Sequence, residues 1–410
     1  MAESCSKWRI PGLLFTAVQS LMQPVLKGSK IYFPNLDALR TIACLMVFSF
    51  HALGLGHNRL RIQNLYLEKL LLAFLNGKTG VSIFFVLSGF LITYIILTEI
   101  RETGTFSLSR FYIRRILRIW PLYFLVLIIV FGALPVIDHF FSLSRSAADT
   151  RPLYYFTFLG NFDVLRIFES GTTDFLPSTI TWSVAIEEQF YLFWPLLFFF
   201  TPVHYYKYIF VFIIAGSFCF RLFHFNQVYQ LYFHSFSVMF DLAVGGVTAY
   251  LSFMNERFKK AIAEMRDLWR FIIVALGIMI IYLNVLLQQP YINLVLTVFQ
   301  VAFFAFIIVD QCFSKSEKFK LSRNKLFTRL GKYTYGIYMI HPLVLLLLNI
   351  VLVRIMHGSV DDLKSVAVCF FVGLPLTVLT AWLSYNYLEK KFLDMKERFS
   401  VLITPSPTNA

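Results

Sequence analysis

Thr79-Gly-Val-Ser-Ile-Phe-Phe-Val-Leu-Ser-Gly-Phe-Leu-Ile-Thr-Tyr-Ile-Ile-Leu-Thr98 runs for 20 residues without a charged side chain. A helix of roughly that length crosses the ~30 Å hydrocarbon core of a bilayer, so this stretch predicts a membrane span. Nine similar runs lie around it, near 36–56, 116–137, 181–203, 207–224, 234–254, 269–288, 291–312, 334–355 and 364–388. Leu153 to Leu165 is too short to cross and contains Asn161 and Asp163, so it is expected to be re-entrant or interfacial. The composition agrees. The 410 residues are 58% hydrophobic and 15% charged and include 47 Phe, with mean hydropathy +0.68. Soluble domains are about 45–50% apolar and about 25% charged. A disordered chain, a collagen-like chain and an ordinary cytosolic enzyme are excluded. The expectation is an all-α polytopic membrane protein with about ten transmembrane helices.

The formal charge of +14 has a topological explanation that makes a nucleic-acid partner unnecessary. With alternating spans, 23 Lys and Arg fall on the side of the N-terminus and 10 on the other. Both termini are therefore expected in the cytoplasm, and the chain in the inner (cytoplasmic) membrane of the cell. Residues 1–33 carry apolar residues at helical spacing from Ile10 to Val25 between Lys7, Arg9, Lys27 and Lys30, the pattern of an amphipathic helix lying on the membrane. Residues 34–392 then form the transmembrane domain and 393–410 a cytoplasmic tail. The five Cys include no C-x-x-C pair, and no grouping of His, Cys and carboxylates has metal-ligand spacing.

Ionisable residues inside spans are costly and mark candidate sites. Arg40 and His51 are eleven residues apart, three helical turns plus about 20°, so they share one face about 16 Å apart along the axis. Arg40 either snorkels to headgroups or serves a site, and His51 is either a packed histidine or a titrating group. Asp37 can pair with Arg40. Arg114, Arg115 and Arg118 cluster where a span begins. Guanidinium groups bind phosphates bidentately, so the cluster suits a nucleotide-bearing ligand as well as plain membrane anchoring. Ser183, Glu187 and Tyr191 share a face, where Glu187 can orient an imidazole, bind a hydroxyl or simply sit at the interface. Tyr338 and His341 share another face. Gly80 to Leu91 reads as a close-packing surface through Ser82, Ser88 and Gly89. Asp241 has no assigned partner.

Five segments together resemble the integral-membrane acyltransferase 3 family. They are Leu36-Asp-Ala-Leu-Arg40 with His51; Val81 to Leu91; Arg114-Arg-Ile-Leu-Arg-Ile-Trp-Pro121; Thr181-Trp-Ser-Val-Ala-Ile-Glu-Glu-Gln-Phe-Tyr191; and Tyr335-Gly-Ile-Tyr-Met-Ile-His-Pro342. They occur in family order over about residues 32–392. Lys391 stands where many members have Pro, so no site is carried over from Leu388 to Leu393. The resemblance implies about ten helices and O-acyl transfer, most often of acetyl, from acyl-CoA to a hydroxyl of a carbohydrate or glycoconjugate. It implies His51 as catalytic histidine, Arg40 as its basic partner, and Arg115 and Arg118 as the pair tied to the donor. Members with an appended extracytoplasmic domain exist, so a second transfer step here is expected to use a separate extracytoplasmic transferase.

The chemistry asks for a base near neutral pKa and for stabilisation of an oxyanion. His51 is the expected base or transient acyl carrier, because imidazole titrates near 6.5 when unperturbed. Arg114, Arg115 and Arg118 are expected to hold the phosphates of acyl-CoA, a donor substrate and not a resident cofactor. Glu187 is expected to orient His51. The alternative is a transporter or flippase for a glycolipid or small anion, with Arg40, Asp241 and Glu187 along its path. The lack of an inverted repeat speaks against it.

Overall fold

A computed structural model describes residues 32–53, 65–136, 150–171, 176–287, 289–354, 363–397 and 399. The expected amphipathic helix before residue 32 and the tail beyond 399 lie outside these residues. All described regular structure is helical. Ten helices organise it: α1 Pro34–Ala52, α2 Gly77–Thr103, α3 Leu108–Ile128, α4 Trp182–Phe200, α5 Tyr206–Phe223, α6 Ser235–Met254, α7 Asp267–Leu287, α8 Pro290–Phe313, α9 Thr334–Arg354 and α10 Gly373–Ser384.

Eight helical stretches among the described residues are long and apolar enough to cross a membrane. They take in all of these helices except α1 and α4, apart from the last two residues of α9. Those two are 19 residues each and carry Asp37 and Arg40, or Glu187 and Glu188, which lowers their hydropathy. Outward-facing Phe212 and Phe223 are 80% and 82% exposed, an arrangement that suits lipid as the surrounding solvent. The chain is a multi-pass membrane protein.

Two boundaries differ from expectation. Helix α3 starts at Leu108, eight residues before the apolar run near 116, because Arg110, Arg114 and Arg115 depress hydropathy while Arg and Leu remain good helix formers. The arginines therefore sit on a helix, and α3 continues through a π-helical turn at Ile129–Ala133. The last run is interrupted at Val372, between the helix Leu363–Phe371 and α10. Pro375 has no N–H to offer the carbonyl of Phe371. The stretch from Leu153 to Leu165 forms two short helices, Pro152–Phe156 and Gly160–Glu169. Buried Asn161 anchors it by donating to the Phe233 carbonyl at 3.0 Å and to Ser235 Oγ at 3.1 Å.

The centre of the bundle is the contact of α2 with α6. A Cβ on Gly89 would overlap the backbone of Leu242, and one on Gly245 would overlap the carbonyl of Val86, so each helix lends a glycine to the other. Gly89→Val is expected to destabilise the fold by at least roughly 1–3 kcal/mol, the usual cost of overpacking. A lowered thermal midpoint of the detergent-purified protein would report it; an unchanged midpoint would contradict the interlock. A second internal tie joins α7 to α8, where fully buried Arg270 donates to Asp310 at 2.8 Å and to the carbonyls of Met265 and Ile262. A buried cation so matched is structural.

Candidate active site

The site grows from α2, which runs the length of the bundle. Asn76 caps its first turn by accepting from the Lys78 amide at 2.9 Å, and Gly104, at φ 73°, ends it. Near the start, Gly77 packs on Phe50, the neighbour of His51. Near the other end, buried Glu99 accepts from Arg114 of α3 at 2.9 Å. The 22 residues between Gly77 and Glu99 span about 33 Å. The bundle thus has a histidine end and an arginine end.

A cavity of about 580 Å³ opens between α1, α2, α3, α4 and α9. Arg40, Arg115, Arg118, Ser183, Glu187 and Tyr191 all line it, with Leu87, Leu91 and Ile92 on its apolar wall. Arg40 is ion-paired with Asp37, one turn earlier on α1. Arg115 lies over the rings of Phe111 and Tyr191, 5.5 and 5.2 Å from their centroids. Among the described residues neither Arg115 nor Arg118 makes an ion pair, while Glu187, within electrostatic reach of both, and Glu389, within reach of Arg118, line the same cavity. Arg114, on the next face of α3, does not line the cavity; it is committed to Glu99 and to the Phe399 carbonyl at 2.9 Å each.

The carboxylate of Glu187 accepts from Ser88 at 2.6 Å and from Tyr191 at 3.0 Å. The expected role of Glu187 as orienter of His51 does not match these contacts. The ring that meets His51 is His341 of α9, with His341 Nε2 3.1 Å from His51 Nδ1. His341 Nδ1 lies 3.1 Å from the carbonyl of Ile337, which can only accept. In the neutral pair, His341 therefore carries its proton on Nδ1 and accepts at Nε2, His51 donates from Nδ1, and the basic lone pair of His51 is on Nε2. Sequence reasoning had singled out His341 without giving it this partner, because 290 residues separate the two rings.

The histidine pair does not line the cavity. At the inner end of the cavity, Ser183 and Tyr338 are joined by a 2.6 Å hydrogen bond, and the Tyr338 ring lies 6.0 Å from that of His341. Less than one helical turn of α9 thus separates the cavity wall from the imidazoles.

A profile of the acyltransferase 3 family (Acyl_transf_3, described as an acyltransferase domain) matches residues 33–386. The chain belongs to this family. The match covers the cavity-lining segments from α1 to Tyr385, at the start of the π-helical turn Tyr385–Glu389. Among curated proteins, a Staphylococcus aureus (strain COL) protein named as a candidate O-acetyltransferase is 27% identical over 378 residues, covering 88% of this chain and 57% of its own. The peptidoglycan O-acetyltransferase OatA of Listeria monocytogenes is 33% identical over 177 residues, covering 42% of this chain and 25% of its own. The chain thus spans little more than half the length of the curated relatives it matches. No solved structure matches.

Proposed function

We propose that this acyltransferase 3 member is an O-acyltransferase that moves an acyl group, acetyl foremost, from acyl-CoA to a hydroxyl of a carbohydrate or glycoconjugate. The observation that carries the proposal is a cavity lined by two guanidinium groups that make no ion pair among the described residues, backed at its inner end by a histidine pair. The names of the relatives support O-acetyl transfer, and that of the Listeria relative supports the acceptor class. In this reading α1 and α4 are two further crossings, giving ten, and the arginine end faces the cytoplasm together with both termini.

Arg115 and Arg118 hold the phosphates of the donor, with Arg40 beside them, and the acyl arm follows the apolar wall towards Tyr338. Glu187 serves here by fixing Ser88 and Tyr191 in the cavity wall. His51 Nε2 takes the proton of the acceptor hydroxyl, whose oxygen attacks the thioester carbonyl. The C–S bond breaks, coenzyme A leaves as a thiol after taking up that proton, and the acceptor leaves as an ester. In the two-step form His51 carries the acyl group between donor and acceptor. His341 is the positioning residue that keeps the lone pair of His51 on Nε2.

The test is transfer of labelled acetyl from acetyl-CoA into the glycan and lipid fractions of membranes containing the chain, with direct coenzyme A binding to the purified protein alongside. Label in a glycan or glycolipid fraction is the expected result. A purified, folded chain that does not bind coenzyme A would overturn the proposal and favour a transport role.

A further inference from the structure

Asp241, which had no partner in the sequence, lies in a cluster of charges at the histidine end of the bundle. Arg221 of α5 donates from Nη2 to Asp241 Oδ1 at 2.7 Å and from Nε to the Ser237 carbonyl at 2.9 Å. Ser82 of α2 donates to the other oxygen, Asp241 Oδ2, at 2.5 Å. One turn before Ser82, exposed Lys78 stands over the ring of Tyr232 with Nζ 5.5 Å from its centroid, within electrostatic reach of both Arg221 and Asp241. Two cations thus share one carboxylate, and that carboxylate is already occupied by Arg221 and Ser82.

A further observation says what is missing. Arg221 is only 5% exposed, and among the described residues its Nη1 is buried with no acceptor. Buried donors are ordinarily satisfied, so an orphaned guanidinium nitrogen within electrostatic reach of an exposed ammonium group points to an external acceptor. Lys78 follows Gly77, which packs on Phe50 beside His51, so the cluster belongs to the end of α2 opposite Arg114 and Glu99. Tyr232 is also 4.7 Å from Trp182, whose ring lies 5.9 Å from Phe85 in the cavity wall. Aromatic faces next to two cations suit a ring-shaped, anionic ligand.

We propose that Lys78 and Arg221 form an oxyanion-binding site at the histidine end, and that it holds the acceptor through a carboxylate or phosphate that the acceptor carries. The word acceptor rests on the function proposed above; the oxyanion site does not. Donor and acceptor then enter from opposite ends of α2 and meet at the histidine pair.

The test titrates the purified full chain in nanodiscs with glucuronate, glycerol phosphate and glucose, read by tryptophan fluorescence because Trp182 touches Tyr232. Binding of one or both anions and not of glucose is expected, and the stronger anion tells a sugar carboxylate from a phosphate headgroup. Lys78→Ala should weaken that binding at least 10-fold and Lys78→Arg should restore it. Lys78 is exposed, so the fold should survive, and unchanged coenzyme A binding by the variants checks this. Failure of both anions to bind, equal binding by Lys78→Ala, or loss of binding only in Arg115→Gln would overturn the proposal. Coenzyme A binding without anion binding defeats this inference alone. A Lys78-dependent anion signal without coenzyme A binding supports the site and defeats the functional reading.

Discussion

Acetyl transfer by His51→Ala is expected to fall about 10²–10⁴-fold below that of the unaltered chain, the usual contribution of a positioned acid or base. His51 is outside the lining of the donor cavity, so coenzyme A binding should be unchanged in the same membranes. The loss should appear in kcat and not in the donor KM. His341→Gln should give a smaller fall in kcat, because the ring that accepts from His51 Nδ1 is removed while the base itself remains. Transfer by His51→Ala at the native rate would remove the imidazole from the chemistry.

The second large effect concerns the donor. Arg118→Gln and Arg115→Gln are each expected to raise the KM for acetyl-CoA roughly 10–100-fold, since a hydrogen bond to a charged group contributes about 1.5–3 kcal/mol. Both losses should shrink as salt rises, because phosphate contacts of this kind are screened. Arg114→Gln is the informative contrast. Its guanidinium is paired with Glu99, whose side chain is 2% exposed, so the variant strands a buried carboxylate. The expected result is a loss of about 3–5 kcal/mol of stability with little change in donor KM. A donor KM shift in Arg114→Gln equal to that in Arg118→Gln would place all three arginines in one donor site.

The contrast among the three arginines shows what could be read before the fold was known. Their clustering was visible, but which of them faced the cavity depended on where α3 begins and on Glu99, a carboxylate of the preceding helix. The spans were legible because twenty uncharged residues in a row, as from Thr79 to Thr98, leave few other solutions. Arg40, Glu187 and Tyr191 were singled out because ionisable or interfacial groups are conspicuous inside apolar runs, and the cavity does gather them. Partners were not legible. His51 with His341, Ser88 with Glu187 and Arg221 with Asp241 are pairings between helices, and helical periodicity gives the face of a residue without naming what stands opposite. The break at Val372 was foreshadowed only by Pro375.

The glycine interlock of α2 with α6 bears on which donors fit. Ser82 and Ser88 project from the same locked helix, one to Asp241 and the other to Glu187, so the distance between the oxyanion cluster and the donor cavity is set by the pitch of one helix. In the proposed reaction a scaffold held in this way would work as a gauge, with the reach of the acyl arm matched to a distance fixed by one helix. Chain-length selectivity would then reside in the backbone contacts of Gly89 and Gly245, which join two helices and do not themselves line the cavity.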